Sequence, residues 1–219
     1  MHPRGPGRRG VVVRYATTLT SEQYVTQQAW RIATLERCPL HPEGGCGLGG
    51  HGSYRRVRPA GMRVARLRCP RARVTISLLP DFLAARLPGT LAEVERVVEA
   101  AEGASCEEVV SQIRPGGEEG AVTLPSALRW LRRRLMPVRG ALLALVTLLP
   151  ELFGCAPRLA AVRERLGVSE VLVTLRARAA DSLPALAAPL GFRARGRRVT
   201  RSSPEPPHEV GPDPPGAPR

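Results

Sequence analysis

Lysine is absent from this chain: all 33 basic residues are arginine, set against 19 carboxylates for a formal net charge of +14. So basic a chain suits an anionic partner such as nucleic acid. Arginine without lysine is also what a GC-rich genome encodes, so composition alone leaves the partner open. Aromatic residues amount to 4%, too few for the stacking platforms on which single-stranded RNA is read. Aspartate occurs only at Asp81, Asp181 and Asp213. Asp213 falls in a Pro-rich tail, and no strand-rich region long enough for a two-metal nuclease site surrounds the other two. The glycines of Gly44–Gly50 lack the Lys-Ser/Thr ending of a nucleotide-binding loop and read as a flexible linker. No Ser-His-Asp or Cys-His pair stands out, so the protein is not expected to be an enzyme. The most apolar run, Ala141–Leu149, is closed by Pro150 and Glu151; it is too short to cross a bilayer and reads as a buried helix, with no membrane partner.

What is present is more telling in its placement than in its amount. His51–Arg73 holds eight arginines and no acidic residue, Asp81–Leu124 holds nine carboxylates against three arginines, and Pro125–Gly140 holds five arginines and no carboxylate. Two basic blocks around an acidic one are what separate phosphate-facing surfaces on a solvated scaffold produce. There are five cysteines. An odd number with no signal peptide upstream points to the reducing cytoplasm and to thiols or a metal rather than disulfides.

Along the chain, Tyr24, Val25, Ala29, Trp30 and Ala33 recur at helical intervals within Ser21–Leu35. From Cys38 to Ser77 short alternating stretches such as Arg63–Arg68 predict two or three strands, with too little apolar bulk for an ordinary core; a module of that size usually needs a metal. Helical patterning follows. Thr90–Glu93 and Ser105–Glu108 are capping boxes, and a third helix is expected over Pro125–Met136. In that helix Leu124, Ala127 or Leu128, Leu131 and Leu135 line the buried stripe opposite Arg129, Arg132 and Arg133. Further helices are expected over Gly140–Phe153, Arg158–Leu166 and Val168–Leu186. Cys106 and Cys155 stand singly in helical context and read as small buried or half-buried residues.

The soft ligands of the first region are Cys38, His41, Cys46, His51 and Cys69. Tetrahedral zinc takes four such ligands at about 2.0 to 2.3 Å and replaces a missing apolar core. Cys38-x2-His41 with Cys46 could supply one knuckle. Cys69 begins the other, which offers one ligand only.

Three strings carry a resemblance: Arg37-Cys-Pro-Leu-His-Pro-Glu-Gly-Gly-Cys-Gly47, His51-Gly-Ser-Tyr-Arg-Arg56, and Arg68-Cys-Pro70 followed by Thr75-Ile-Ser77. Together they resemble the N-terminal zinc ribbon of insertion-sequence transposases and their stand-alone relatives over about residues 30–82. Glu107-Glu-Val-Val110 and Arg129-Trp-Leu-Arg-Arg-Arg134 are similar to the helix-turn-helix that follows it. The resemblance implies zinc on Cys38, Cys46 and Cys69, whereas the fourth family position falls at Ala72 or Arg73, which cannot bind it. His41, on knuckle spacing, or His51, on the first strand, could complete the set, and His41 is the choice adopted. If neither serves, the ribbon is degenerate and the metal lost.

The expected architecture is therefore mainly α with a small β zinc-ribbon-like N-terminal module, an α+β set of small domains with disordered termini. Residues 1–20 are read as a disordered basic arm, 21–80 as the ribbon, 81–140 as a helix-turn-helix-like three-helix domain, 141–192 as C-terminal helices and 193–219 as a disordered Arg/Pro-rich tail. The expected function is DNA binding by a bacterial protein derived from or accessory to a mobile element, without nuclease activity of its own. Its contacts would come from Arg55, Arg56, Arg58, Arg66 and Arg68 of the ribbon and Arg129, Arg132 and Arg133 of the recognition helix. The alternative is an interaction module in which the Leu-rich helices pair with a partner or a second copy.

Overall fold

The computed structural model describes residues 10–113, 123–152 and 154–193, and within them the protein is a mixed α/β structure. Four strands, β1 (Val11–Tyr15), β2 (Gly49–Arg55), β3 (Arg63–Cys69) and β4 (Val74–Pro80), form one sheet in the order β1-β4-β3-β2. The last three make an antiparallel meander, and β1 pairs with β4 in parallel. The stretch 1–20 expected as a disordered arm thus contains a strand. The run Val11-Val-Val13 is β-branched and half-buried on the sheet, and this burial outweighs the basic composition around it. Residues 1–9 and 194–219, the first part of the expected arm and almost all of the tail, lie outside the described residues.

Successive residues of a strand face opposite sides, and both sides of this sheet are covered. Ala65, Leu67, Cys69, Ile76 and Leu78 join Cys38, Cys46 and Ala33 on one face. Val64 and Leu79 join Tyr24, Met62 and Leu83 on the other. The first helix is shorter than its periodicity predicts: α1 (Ser21–Thr26), opened by a Thr20/Gln23 capping box, gives way to a 3-10 turn at Ala29–Arg31. The break comes at Gln28, whose left-handed backbone (φ 51) is incompatible with helix propagation.

Five helices follow: α2 (Leu91–Gly103), α3 (Cys106–Ile113), α4 (Leu124–Leu148), α5 (Leu159–Leu166) and α6 (Val171–Arg178). Both expected capping boxes form: Thr90 Oγ1 accepts from the Glu93 N–H at 3.0 Å, and Ser105 Oγ from the Glu108 N–H at 3.3 Å. Gly89 (φ 97) precedes the first box, and a Cβ there would collide with the Glu93 carboxylate.

The separate helices expected at 125–136 and 140–153 are one helix with Pro137 inside it. An interior proline costs about 3 kcal/mol. Leu135, Val138, Ala141, Leu142 and Leu145 form an unbroken buried stripe through that point, and each large side chain gains roughly 1.5–3 kcal/mol on burial, so the helix runs on. Leu124, expected in the stripe, is 47% exposed. The expected boundary at 140/141 consequently falls inside a helix, and one core unites α2, α4, α5 and α6.

Two devices organise this core. Neither α5 nor α6 has a side-chain cap of its own; α2 caps both. Glu102 accepts from the Leu159 and Ala160 N–H groups, and Glu95 from those of Val171 and Leu172, with Arg163 as its counter-ion. Arg176, fully buried on α6, donates to the carbonyls of Asp81, Leu83, Pro189 and Leu190 and so ties the end of β4 to the helices. Burial pushes its guanidinium down to about 9 against the opposing pull of Asp81. Asp81 itself is gripped by Arg14 of β1 at 2.7 and 2.8 Å.

Candidate functional site

The loop that delivers β2 begins with a tight turn. The His41 N–H donates to the Cys38 carbonyl at 3.1 Å, and the Gly44 N–H to that of His41 at 3.0 Å. Gly44, Gly45 and Gly47, all at positive φ, then reverse the chain so that Cys46 returns beside Cys38. Because Gly49 and Gly50 pair with Arg68 and Leu67, the loop is pinned next to the end of β3, where Cys69 opens the hairpin into β4. The four side chains Cys38, His41, Cys46 and Cys69 therefore converge, with their ligand atoms all within 4.8 Å of one another. His41 Nδ1 lies 3.7 Å from Cys38 Sγ and 3.3 Å from Cys69 Sγ. The three sulfurs are buried, and His41 closes the cluster from its half-exposed side. Such a set could hold a metal ion.

Backbone amides prepare each sulfur for negative charge. Cys38 accepts from the Leu40 N–H, Cys46 from the Leu48 N–H, and Cys69 from the Ala72 N–H at 3.4 Å. Burial pushes the Cys38 thiol up, but His41, the Leu40 amide and the neighbouring thiols together bring it down to about 7. Burial, then hydrogen bonds to Cys38 and Cys69, push the Cys46 thiol up. His51, the other candidate, is exposed on β2 and outside the cluster. At the fourth position that the resemblance implied, Ala72 contributes an amide rather than a ligand, and Arg73 turns the chain at φ 55. Cys106 is exposed rather than buried, and Cys155 is half-buried.

The arginines divide into several groups. Arg58, exposed beyond β2, and Arg129 and Arg133, exposed on α4, line one cleft of about 1320 Å³ together with Arg86, Trp130 and Arg134. Arg56 does not face outward: its Nη2 donates to the Ala84 and Leu87 carbonyls at 2.9 and 2.6 Å, which fixes the loop that carries Arg86. Arg55 is exposed at the end of β2, and Arg66 and Arg68 are half-buried on β3. Arg132 is exposed beside a separate apolar hollow with Cys106 and Leu128. Two cleft features escape the sequence reading. Arg86 (φ 59) lies in the acidic stretch rather than in either basic block, and Arg134, 9% exposed, is folded back so that its guanidinium lies 4.0 Å over the Trp130 ring.

No helix of the described residues is long and apolar enough to cross a membrane. No protein-family model matches the chain, and no curated protein or solved structure is similar to it.

Proposed function

We propose that the protein binds duplex DNA through the arginine-lined cleft and that the thiol–imidazole cluster, at the opposite end of the β2–β3 hairpin, is a structural zinc site. The observation that carries the reading is convergence. Arg58, from the first basic block, and Arg129 and Arg133, from the second, meet across one cleft despite some seventy residues of intervening chain. Among the described residues, these three and Arg86 form no ion pair with a carboxylate, so their donors are available to phosphate oxygens. Trp130 already carries Arg134 on its face. That favours contact with a phosphate backbone over stacking of unpaired bases.

Zinc fits the cluster. Bond lengths of about 2.3 Å to sulfur and 2.0–2.1 Å to nitrogen at a tetrahedral angle require S···N separations of about 3.6 Å and S···S separations of about 3.8 Å; His41 Nδ1 lies 3.3 and 3.7 Å from two of the sulfurs, and the whole set lies within 4.8 Å, so an ion would need to draw the ligands together only slightly. Four protein ligands leave no open position, which is the mark of a structural rather than a catalytic site. When bound, the ion would neutralise the buried thiolates and fix the Cys38–Gly50 loop against β3.

A binding role without a reaction of its own is supported by how the carboxylates are used: Asp81 grips Arg14, and Glu95 and Glu102 cap helices. Origin in a mobile element, and a cytoplasmic setting, rest on the ribbon strings and the free thiols. A second reading, pairing of two copies, draws on Met136 and Leu143, each 60% exposed on the outer face of α4. It is compatible with the first, since paired half-sites are commonly read by dimers, and concentration-dependent mass in solution tests it.

The deciding experiment measures zinc content by mass spectrometry and affinity for a mixed-sequence duplex across a salt series. About one zinc per chain is expected. Affinity should fall with a log–log slope of about −3 to −4, one counterion for each of the four exposed cleft arginines. Salt-independent affinity, or none, would refute the DNA reading.

A further inference from the structure

A second arginine cleft, of about 440 Å³, shares no lining residue with the first. It forms where β2 loses register with β3 between Gly50 and Ser53. A bulge of this kind bends the strand and re-aims its neighbours. Here it opens space, because a Cβ built on Gly50 or Gly52 would meet nothing within 4 Å. Trp30, Arg31, Ser53, Arg63 and Arg66 line the opening.

The donors around this cleft are only partly satisfied. Arg66 Nε is buried and has no hydrogen-bond partner, a condition it shares among the described residues only with the Tyr24 hydroxyl. An unpaired buried donor is costly, the more so on a group that stays charged. Arg63 Nε donates to Ser53 Oγ at 2.9 Å, which fixes the guanidinium while its two terminal nitrogens remain available. Neither these two arginines nor Arg31 forms an ion pair among the described residues, and no carboxylate lines the cleft. By the alternation of β3, Arg66 points to the Val64 face, opposite Arg63; the guanidiniums of Arg31 and Arg63 beside a bulge and an indole call for a compact anion with several acceptor oxygens.

We propose that this cleft is a phosphate-binding site, filled either by free phosphate or by a phosphate carried on a nucleic acid. It is independent of the DNA reading, because it draws on none of the residues of the larger cleft. The test is fluorine NMR of the full chain with both tryptophans replaced by fluorotryptophan, the two signals being assigned with Trp130→Phe. Inorganic phosphate added at constant ionic strength should move the Trp30 signal saturably. Arg63→Gln should weaken the response about tenfold, Arg31→Gln severalfold, and Arg139→Gln, which touches neither cleft, should leave it unchanged. Thermal unfolding of each variant controls for folding, and exposed Arg31 keeps the test decisive should Arg63→Gln destabilise the sheet. A Trp30 response to duplex but not to free phosphate would support the site and identify the backbone as its source. No Trp30 response to either, or a response unaltered in both Arg31→Gln and Arg63→Gln, would overturn the proposal.

Discussion

The two halves of this protein are held together by different chemistry. Among the described residues, the helical half buries eighteen in one core, every one of them Leu, Val or Ala. The thiol-bearing face of the sheet buries eight, of which three are cysteines and two alanines. At roughly 1.5–3 kcal/mol per buried large apolar side chain, the first core is ample, whereas the second has only Leu67, Ile76 and Leu78 of that size. What the sheet lacks in apolar bulk it has in convergent ligands. On the zinc reading proposed above, the comparison sets a region stabilised by packing alone against one that an ion would complete.

Removing the ion should therefore break the comparison most severely. Cys69→Ser is expected to abolish zinc retention. Hydrogen exchange should show protection lost across 38–50 and 69–74, while the amides of α2, α4 and α6 remain protected. Equal loss of protection in both halves would mean that zinc supports the whole molecule and that the two cores are not independent.

The next largest effect is expected at the joint between the halves. Arg176 donates to carbonyls on both sides of it, and Arg176→Met would leave those acceptors buried and unpaired. The expected cost is about 3–5 kcal/mol, read by denaturant unfolding. The transition should also split, with sheet and helices melting apart, since this side chain links them.

How much of this could be read from the sequence follows the range of the interactions. The capping boxes at Thr90 and Ser105 span three residues and were legible. So was the clustering of Cys38, His41, Cys46 and Cys69, because knuckle spacing is local on either side of one long step. Arg176 was not legible: an arginine in a helical run gives no sign of full burial until the carbonyls at 81–83 and 189–190 close around it. The same holds for Glu95 and Glu102. Their spacing of seven puts them on one face of α2, yet the helix termini they cap lie 57 to 77 residues further along the chain. Pro137 misled in the opposite direction, since its local penalty was visible while the buried stripe that outweighs it depends on the tertiary fold. The arginines show the same division. Arg56 looked like its neighbour Arg58, and only the folded loop at 84–87 assigns one to the scaffold and leaves the other in the cleft.

Glu95 offers a sharper comparison of capping with charge. Glu95→Ala removes the acceptor for two amides and should cost about 1–3 kcal/mol. Glu95→Gln keeps one acceptor oxygen but loses the charge facing Arg163 and the N-terminus of α6, and should cost less. Equal losses in the two variants would place the stabilisation in the charge rather than in the hydrogen bonds.

The smallest expected effects on stability separate scaffold arginines from cleft arginines. Arg129→Gln and Arg133→Gln, both on the exposed face of α4, should leave unfolding free energy within about 0.5 kcal/mol of the parent chain. Each should weaken duplex binding and reduce the salt slope by about one. Arg56→Gln should do the reverse. It releases the carbonyls of Ala84 and Leu87 at a cost of roughly 1–3 kcal/mol, and the salt slope should hold so long as the loop bearing Arg86 stays in place. If Arg56→Gln lowers the salt slope by one with no change in stability, then its guanidinium leaves those carbonyls for phosphate when DNA binds, and the division between scaffold and cleft arginines fails at the residue where it is drawn most sharply.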